Sequence, residues 1–183
     1  MVVTAIFVIL TGVVLANNTR FSNMIVLQNL AHDIALSIRE AQVYGIAVRQ
    51  CDESKTAGCA DLTDKFDLAY GVHFKAGEPS FELFADINNS GVYDPGETVL
   101  ATTIKSGYSV TSVSTENAQG ALTTPTDLDI AFRRPEPDAC IEGDFDEDGD
   151  CIGGHNRATI VVQSNSGITA TIMVESTGQI SVQ

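Results

Sequence analysis

Residues 86–97 read DINNSGVYDPGE and carry oxygen-bearing side chains at the spacing of a twelve-residue calcium loop. Asp86, Asn88, Ser90, Asp94 and Glu97 fall at positions 1, 3, 5, 9 and 12, Val92 offers a backbone carbonyl, and Gly91 stands at position 6. Such a pattern suits Ca²⁺, which takes hard oxygen ligands from alternate residues, a sharp turn at glycine and a bidentate carboxylate to close the shell. No helices flank the segment, so the site would lie between two strands, with an affinity on the order of 10⁻⁴–10⁻³ M. The alternative is an acidic Asn/Gly/Pro turn that solvates its carboxylates.

A second acidic segment, Asp144-Phe-Asp146-Glu-Asp148-Gly149-Asp150, begins like a calcium loop but has Ile152 and His155 at the later ligand positions. Asp150 and Glu142 could supply the missing oxygens; the alternative is a solvated acidic loop. The four cysteines fall into two sequence-close pairs, Cys51 with Cys59 and Cys140 with Cys151, and neither has the spacing of a zinc site. Two local disulfides in an oxidising compartment are expected, against the alternative of four reduced thiols. No GxSxG, GxGxxG, P-loop or HExxH motif is present, and no enzyme activity is expected. His32, His73 and His155 are scattered and read as surface or packing residues.

Two kinds of element must carry these segments. Residues 1–16 form an uncharged apolar run, MVVTAIFVILTGVVLA, marginal in length for a membrane span. Leu27, Leu30, Ile34, Ile38 and Ala41 then recur at helical spacing. No proline interrupts residues 1–44, and Gly45 sits where a glycine cap would end the helix. The pattern predicts a helix of about 44 residues, ~66 Å long. Beyond it, alternation and glycine-containing turns predict a meander at 157–164, 168–175 and 179–183. Further strands are predicted at 46–49, 68–74, 80–85, 98–104, 108–114 and 128–132. The fold class expected is α+β, a long N-terminal hydrophobic-to-amphipathic helix packed on an antiparallel β-sheet domain. Its divisions are 1–45 (1–16 for membrane or filament core, 17–45 amphipathic) and an acidic extracytoplasmic β-domain at 46–183.

A hydrophobic helix grading into an amphipathic one and followed by a β-domain with paired cysteines resembles the type IV pilins and type II secretion pseudopilins. LAHDIALSIREAQVYGIAV (30–48) is similar to the helix end and first strand of the H-type minor pseudopilins. FADINNSGVYDPGETVL (84–100), IAFRRPEPDACI (130–141) and TGQISV (177–182) resemble segments of the same group. The resemblance implies a structural subunit of a pilus or pseudopilus. Such a subunit assembles with other pilin or pseudopilin subunits through its helix, and rests in the bacterial inner membrane beforehand with its β-domain outside the cytoplasm. The family's processing motif, glycine followed by Phe-Thr-Leu-Ile-Glu, is absent; MVVTAIF aligns just after its glutamate. The start at Met1 is therefore expected to be internal to a longer reading frame or to result from trimming of a longer chain.

Charge narrows the partners. The chain holds 10 basic and 24 acidic residues, net −14. Only Arg20, Arg39, Arg49, Asp33 and Glu40 lie in the first fifty, which leaves 7 basic and 22 acidic residues, net −15, beyond them. Such a domain repels nucleic acid and attracts cations, and Arg133, Arg134 and Arg157 are too few to reverse that. The alternative function is a membrane-anchored, calcium-stabilised extracytoplasmic β-domain that binds a ligand and forms no filament.

Overall fold

The structure is a computed structural model that describes residues 1–47, 49–52, 54, 56, 58–59 and 66–183, with residues 14–21 described by backbone alone. Helix α1 (Val2–Ile46) is followed by β1 (Ala69–Lys75), β2 (Ser80–Asp86), β3 (Thr98–Thr103), β4 (Tyr108–Glu116), β5 (Leu122–Thr123) and β6 (Asp127–Phe132). Then come β7 (Ala139–Ile141), β8 (Asp144–Phe145), β9 (Cys151–Ile152), β10 (Arg157–Ser164), β11 (Thr169–Glu175) and β12 (Ile180–Val182). They pair in three antiparallel sheets: β3-β2-β1-β6-β7, β12-β11-β10-β4-β5, and the hairpin β8-β9.

The architecture corrects the expected α+β class. Among the described residues strand outweighs helix, so the chain is mostly β, and its strands form three sheets rather than the single sheet domain expected. The third sheet comes from β8 and β9, and β5 and β7 add an edge strand to each of the other two; all four are pieces of two or three residues that exist because a partner strand pairs with them. Such pieces are too short to show periodicity. The strand expected at 46–49 is also corrected: Ile46 closes the helix and Ala47 caps it, while Val48 lies outside the described residues.

Leu27, Ala31, Ile34, Ile38 and Ala41 step along α1 by four and three residues, which holds them on one face, and all five are buried. They share a core with Tyr70, Val72 and Phe74 of β1, Ile130 and Phe132 of β6, Ile160 and Val162 of β10, and Ile172 and Val174 of β11. The helix thus lies across the inner faces of both five-stranded sheets. Each fully buried Leu, Ile or Phe contributes about 1.5–3 kcal/mol. Gln42 is buried in the same contact and satisfied there, its amide donating to the carbonyls of Pro137 (2.8 Å) and Gly178 (3.2 Å). Gly45 does not cap the helix. It lies inside it, where a Cβ would come within 2.2 Å of the Phe132 carbonyl oxygen, so its missing side chain lets the helix lie directly on β6.

The two five-stranded sheets differ on their outer faces. In β10 and β11 buried and half-buried residues alternate, as a sheet covered on one side requires. In β6 and β7 burial is nearly continuous. Phe84, Ala69, Ala131 and Cys140 point away from the helix core and are buried nonetheless. Something covers the first sheet from outside, and that cover is the candidate site.

Candidate functional site

The period of two along each strand, combined with register, lays out the outer face of the first sheet in rows. One row is Glu82, His73 and Asp129, paired across β2, β1 and β6, with Glu142 just beyond β7. The next is Phe84, Gly71, Ala131 and Cys140. The third begins with Asp86 beside Ala69 and continues toward Arg133, which follows β6. Ionisable groups therefore flank an apolar strip. Tyr93, from the loop after β2, closes over that strip, edge-on to Phe84 (5.8 Å between centroids) and against the His73 ring (4.8 Å).

All six expected calcium ligands of the first loop occur within one compact turn. Asp86 is fully buried, and its two oxygens accept the N–H groups of Ser90 (3.0 Å) and Gly91 (2.8 Å). Glu97, also buried, accepts from Ile87 (2.8 Å) and Asp94 (2.9 Å). Asn88 donates its amide to Asp94 (2.8 Å), and the Ser90 hydroxyl donates to the Val92 carbonyl (3.0 Å). The oxygens are thus engaged by N–H and O–H donors of the loop itself, and Asn88 places a donor where an ion would need an acceptor. Among the described residues, no three His, Cys, Asp or Glu side chains group in a way that could hold a metal ion. Burial raises the carboxyls of Asp86 and Glu97 above the ordinary carboxylate range. For Asp86 the Gly91 and Ser90 amides and the Arg133 charge pull the other way; for Glu97 the Asp94 and Ile87 amides do.

The second acidic segment forms the β8–β9 hairpin, and its carboxylates do not converge. Asp144, Asp148 and Asp150 are exposed, while Asp146 accepts the N–H groups of Asp148 (3.0 Å) and Asp150 (2.8 Å) and so shapes the turn. A disulfide between Cys140 and Cys151 ties the hairpin to β7, with Cα atoms 5.3 Å apart. The other disulfide, Cys51–Cys59, has Cα atoms 5.7 Å apart and both sulfur residues in the helix-side core.

The fold brings these two segments together, which neither segment's sequence announces. Gly91 has φ +71°, and a Cβ there would sit 1.8 Å from the Gly143 carbonyl oxygen, so the first loop rests directly on the start of the hairpin. Arg133 stands between them with its side chain 10% exposed, 3.3 Å from Asp67 and stacked 5.9 Å from the Phe145 ring. It is a resident cation for a face that would otherwise gather like charges.

Sequence reasoning also missed His73. Its Nδ1 lies 2.9 Å from Asp129 and its Nε2 4.0 Å from Asp127. Burial alone would lower the imidazole; the bond to Asp129 and the charges of Asp129, Asp127 and Glu82 together outweigh it and leave His73 raised. Glu142 is raised by burial, although it accepts the Asp129 N–H (2.7 Å). The signal was available in the alternation of 69–75 and 127–132, but it needs the β1–β6 register to become a cluster.

Beside the hairpin lies a cavity of about 460 Å³, lined among others by Arg133, Phe145, Asp150, His155 and Ser176. His155 is half-buried, and its Nδ1 is withdrawn from solvent with no hydrogen-bond partner among the described residues. On the helix, Met1, Val3, Ile6, Phe7, Ile9 and Leu10 are each more than half exposed. Among the described residues no helix is long and apolar enough to cross a membrane, so no transmembrane helix is assigned; Asn17, Asn18 and Arg20 end the apolar run. The chain matches no protein-family model, no curated protein and no solved structure.

Proposed function

We propose that this protein is a non-catalytic structural subunit, a pilin or minor pseudopilin, that assembles with like subunits through the first part of α1. The observation that carries the reading is the division of one continuous helix. Its later half is built into the core, while Met1, Val2, Val3, Ile6, Phe7, Val8, Ile9 and Leu10 stand exposed, covered by none of the described residues. Exposed apolar surface of that extent marks an interaction site. Packing against like helices would bury it at about 25 cal/mol per Å². Before assembly the same segment would rest against the inner membrane, with the acidic β-domain outside the cytoplasm. Both disulfides suit that oxidising location.

The test is detergent dilution of the full chain, followed by sedimentation and negative-stain microscopy. Wild type is expected to form elongated assemblies. Phe7→Asp with Leu10→Asp should remain monomeric at an unchanged melting midpoint, because neither side chain belongs to the core. Monomeric behaviour of both proteins would overturn the proposal. The 460 Å³ cavity favours a second reading, an anchored extracytoplasmic module that binds a ligand and does not assemble, and that outcome would point to it. The calcium assignment of the 86–97 loop belongs to either reading. Asp86, Asp94 and Glu97 would hold the ion once Asn88 turns its carbonyl oxygen inward.

A further inference from the structure

We propose that the open edge of β3 pairs with the same edge of a second copy, joining two first sheets into one about a two-fold axis at Thr102. The inference goes beyond the filament reading and does not depend on it. β3 is an outer strand of its sheet, with β2 on one side only. Its register runs Ser80–Thr103, Phe81–Thr102, Glu82–Ala101 and Leu83–Leu100, and Ile104 N–H donates to the Pro79 carbonyl (2.7 Å). Antiparallel ladders alternate, so Leu100, Thr102 and Ile104 turn their backbone groups to β2, while Ala101 and Thr103 turn theirs outward. Among the described residues nothing pairs with the outward groups, and Ala101 and Thr103 are exposed. The open stretch is bounded. Before it, the Thr98 carbonyl accepts the Thr56 hydroxyl (3.4 Å) and the register slips beside Phe84; after it stands Lys105.

Such an edge is a template for another strand, and proteins guard it with charge or proline. Residues 98–104, TVLATTI, contain neither. The stretch is also complementary to itself. Antiparallel pairing about Thr102 sets Ala101 of each copy opposite Thr103 of the other, and each such pair exchanges both its backbone hydrogen bonds. It also sets Leu100 opposite Ile104 on the helix side, the side to which Phe81 and Leu83 of β2 point. Leu100 is 51% exposed. Beside Ile104 lies a groove of about 350 Å³ between β3 and α1, lined among others by Val26, Leu30, Phe81 and Thr102. Leu100 of the second copy comes to the mouth of that groove, and the two-fold axis fills both grooves alike. One edge thus carries an apolar side chain and the groove that receives it. Charge favours the same occupant. In a chain of net −14, two copies repel wherever their carboxylates meet, and this edge brings none. Glu82 lies one strand in from the seam. Three strand spacings of ~4.8 Å keep the two copies' Glu82 at least ~14 Å apart, beyond the screening length of ~8 Å. The contact is short, so the dimer is a weak one.

The test is sedimentation and amide hydrogen exchange of the full ¹⁵N-labelled chain in detergent micelles, from about 10 µM to about 1 mM. The micelle covers the apolar part of α1 at every concentration, so failure of the filament reading leaves this measurement unaffected. A monomer–dimer equilibrium is expected. Protection of the Ala101 and Thr103 amides should rise with concentration, while Leu100 and Thr102 are protected throughout. A mixture of ¹⁵N-labelled and ¹³C-labelled chains should show contacts between Leu100 of one copy and Ile104 of the other. Leu100→Lys, at an exposed position, keeps the fold and should weaken the dimer at least about tenfold. Ala101→Pro removes an outward N–H but no bond to β2, and should abolish the added protection of Thr103. A monomer at every concentration, or Ala101 and Thr103 already fully protected in the monomer, would overturn the proposal. So would a dimer protected at other amides, or one that Leu100→Lys leaves unweakened.

Discussion

In the 86–97 loop the carboxylates of Asp86 and Glu97 are withdrawn from solvent, and each accepts two backbone N–H groups. In the 144–150 hairpin only Asp146 does so, while Asp144, Asp148 and Asp150 stand in solvent. Both segments alternate acidic or amide residues around a glycine, and they lie against one another, yet they are built differently. The first covers Phe84 and the apolar strip of the first sheet through Tyr93, so its carboxylates are carried inside with it. The second is held at its base by a disulfide and keeps Asp144, Asp148 and Asp150 on the solvent side. A motif's letters thus leave open whether its charges will be structural caps or a solvated surface; the surface beneath the loop decides.

The largest expected effect that separates the two is at their glycines. Gly91→Ala should destabilise by about 4 kcal/mol, since it combines a positive φ with a Cβ 1.8 Å from a backbone oxygen. Gly149→Ala, at φ +91° and 3.3 Å from the nearest atom, should cost about 1–2 kcal/mol. Equal losses in urea denaturation would mean that the loops are not packed as described.

Next is the disulfide. Cys140→Ala with Cys151→Ala should lower stability by about 2–3 kcal/mol, the chain-entropy value for a loop of this size. The 86–97 loop should keep its protected amides in hydrogen exchange, while the hairpin amides lose theirs. Loss of protection in both loops would show that the disulfide supports the first loop as well.

Calcium gives a smaller effect. If the 86–97 loop takes Ca²⁺, millimolar Ca²⁺ after EGTA should raise stability by about 1.4 kcal/mol at ten times the dissociation constant. Asp86→Ala with Glu97→Gln should abolish the rise, and Asp146→Ala should not. A rise that survives the first pair of changes moves the site elsewhere; no rise in any protein leaves the loop as a capped turn.

The smallest effect is with pH. Asp86, Glu97 and Glu142 are raised by burial, so the stability tied to their protonation is complete below their unfolded values, near pH ~4, and is lost as pH rises through their folded values. His73, raised by Asp129 and its neighbours against burial, behaves likewise from ~6.5 upward. In EGTA the melting midpoint should therefore be higher at pH 5.5 than at pH 8, and His73→Gln should reduce the difference. A midpoint that falls on acidification would contradict these directions.

Much of the local structure was legible. Residues 157–164 alternate in sequence and in burial, and of the expected helix face Leu27, Ile34, Ile38 and Ala41 are buried, while Leu30 is half-buried at its edge and Ala31 takes the central place. Both cysteine pairs, eight and eleven residues apart, are disulfides, because short loops close readily. Less of the site was legible. The ligand set of the first loop does fall in one turn, but that its oxygens would be engaged by amides follows from burial against Phe84 and Tyr93, which no spacing encodes.

Periodicity within a segment is a property of the backbone, so the sequence by itself determined the helix face, the longer strands, the disulfide partners and the acidic character of 86–97 and 144–150. Register and contact between distant segments are not properties of any one segment. Only the tertiary structure decided that the strands divide into three sheets and that two- and three-residue pieces become strands. It also decided that His73 meets Asp129, and that Arg133 stands between two acidic loops seated on one another at Gly91. These pairings join residues roughly fifty apart, and their energies exist only once the sheets have closed.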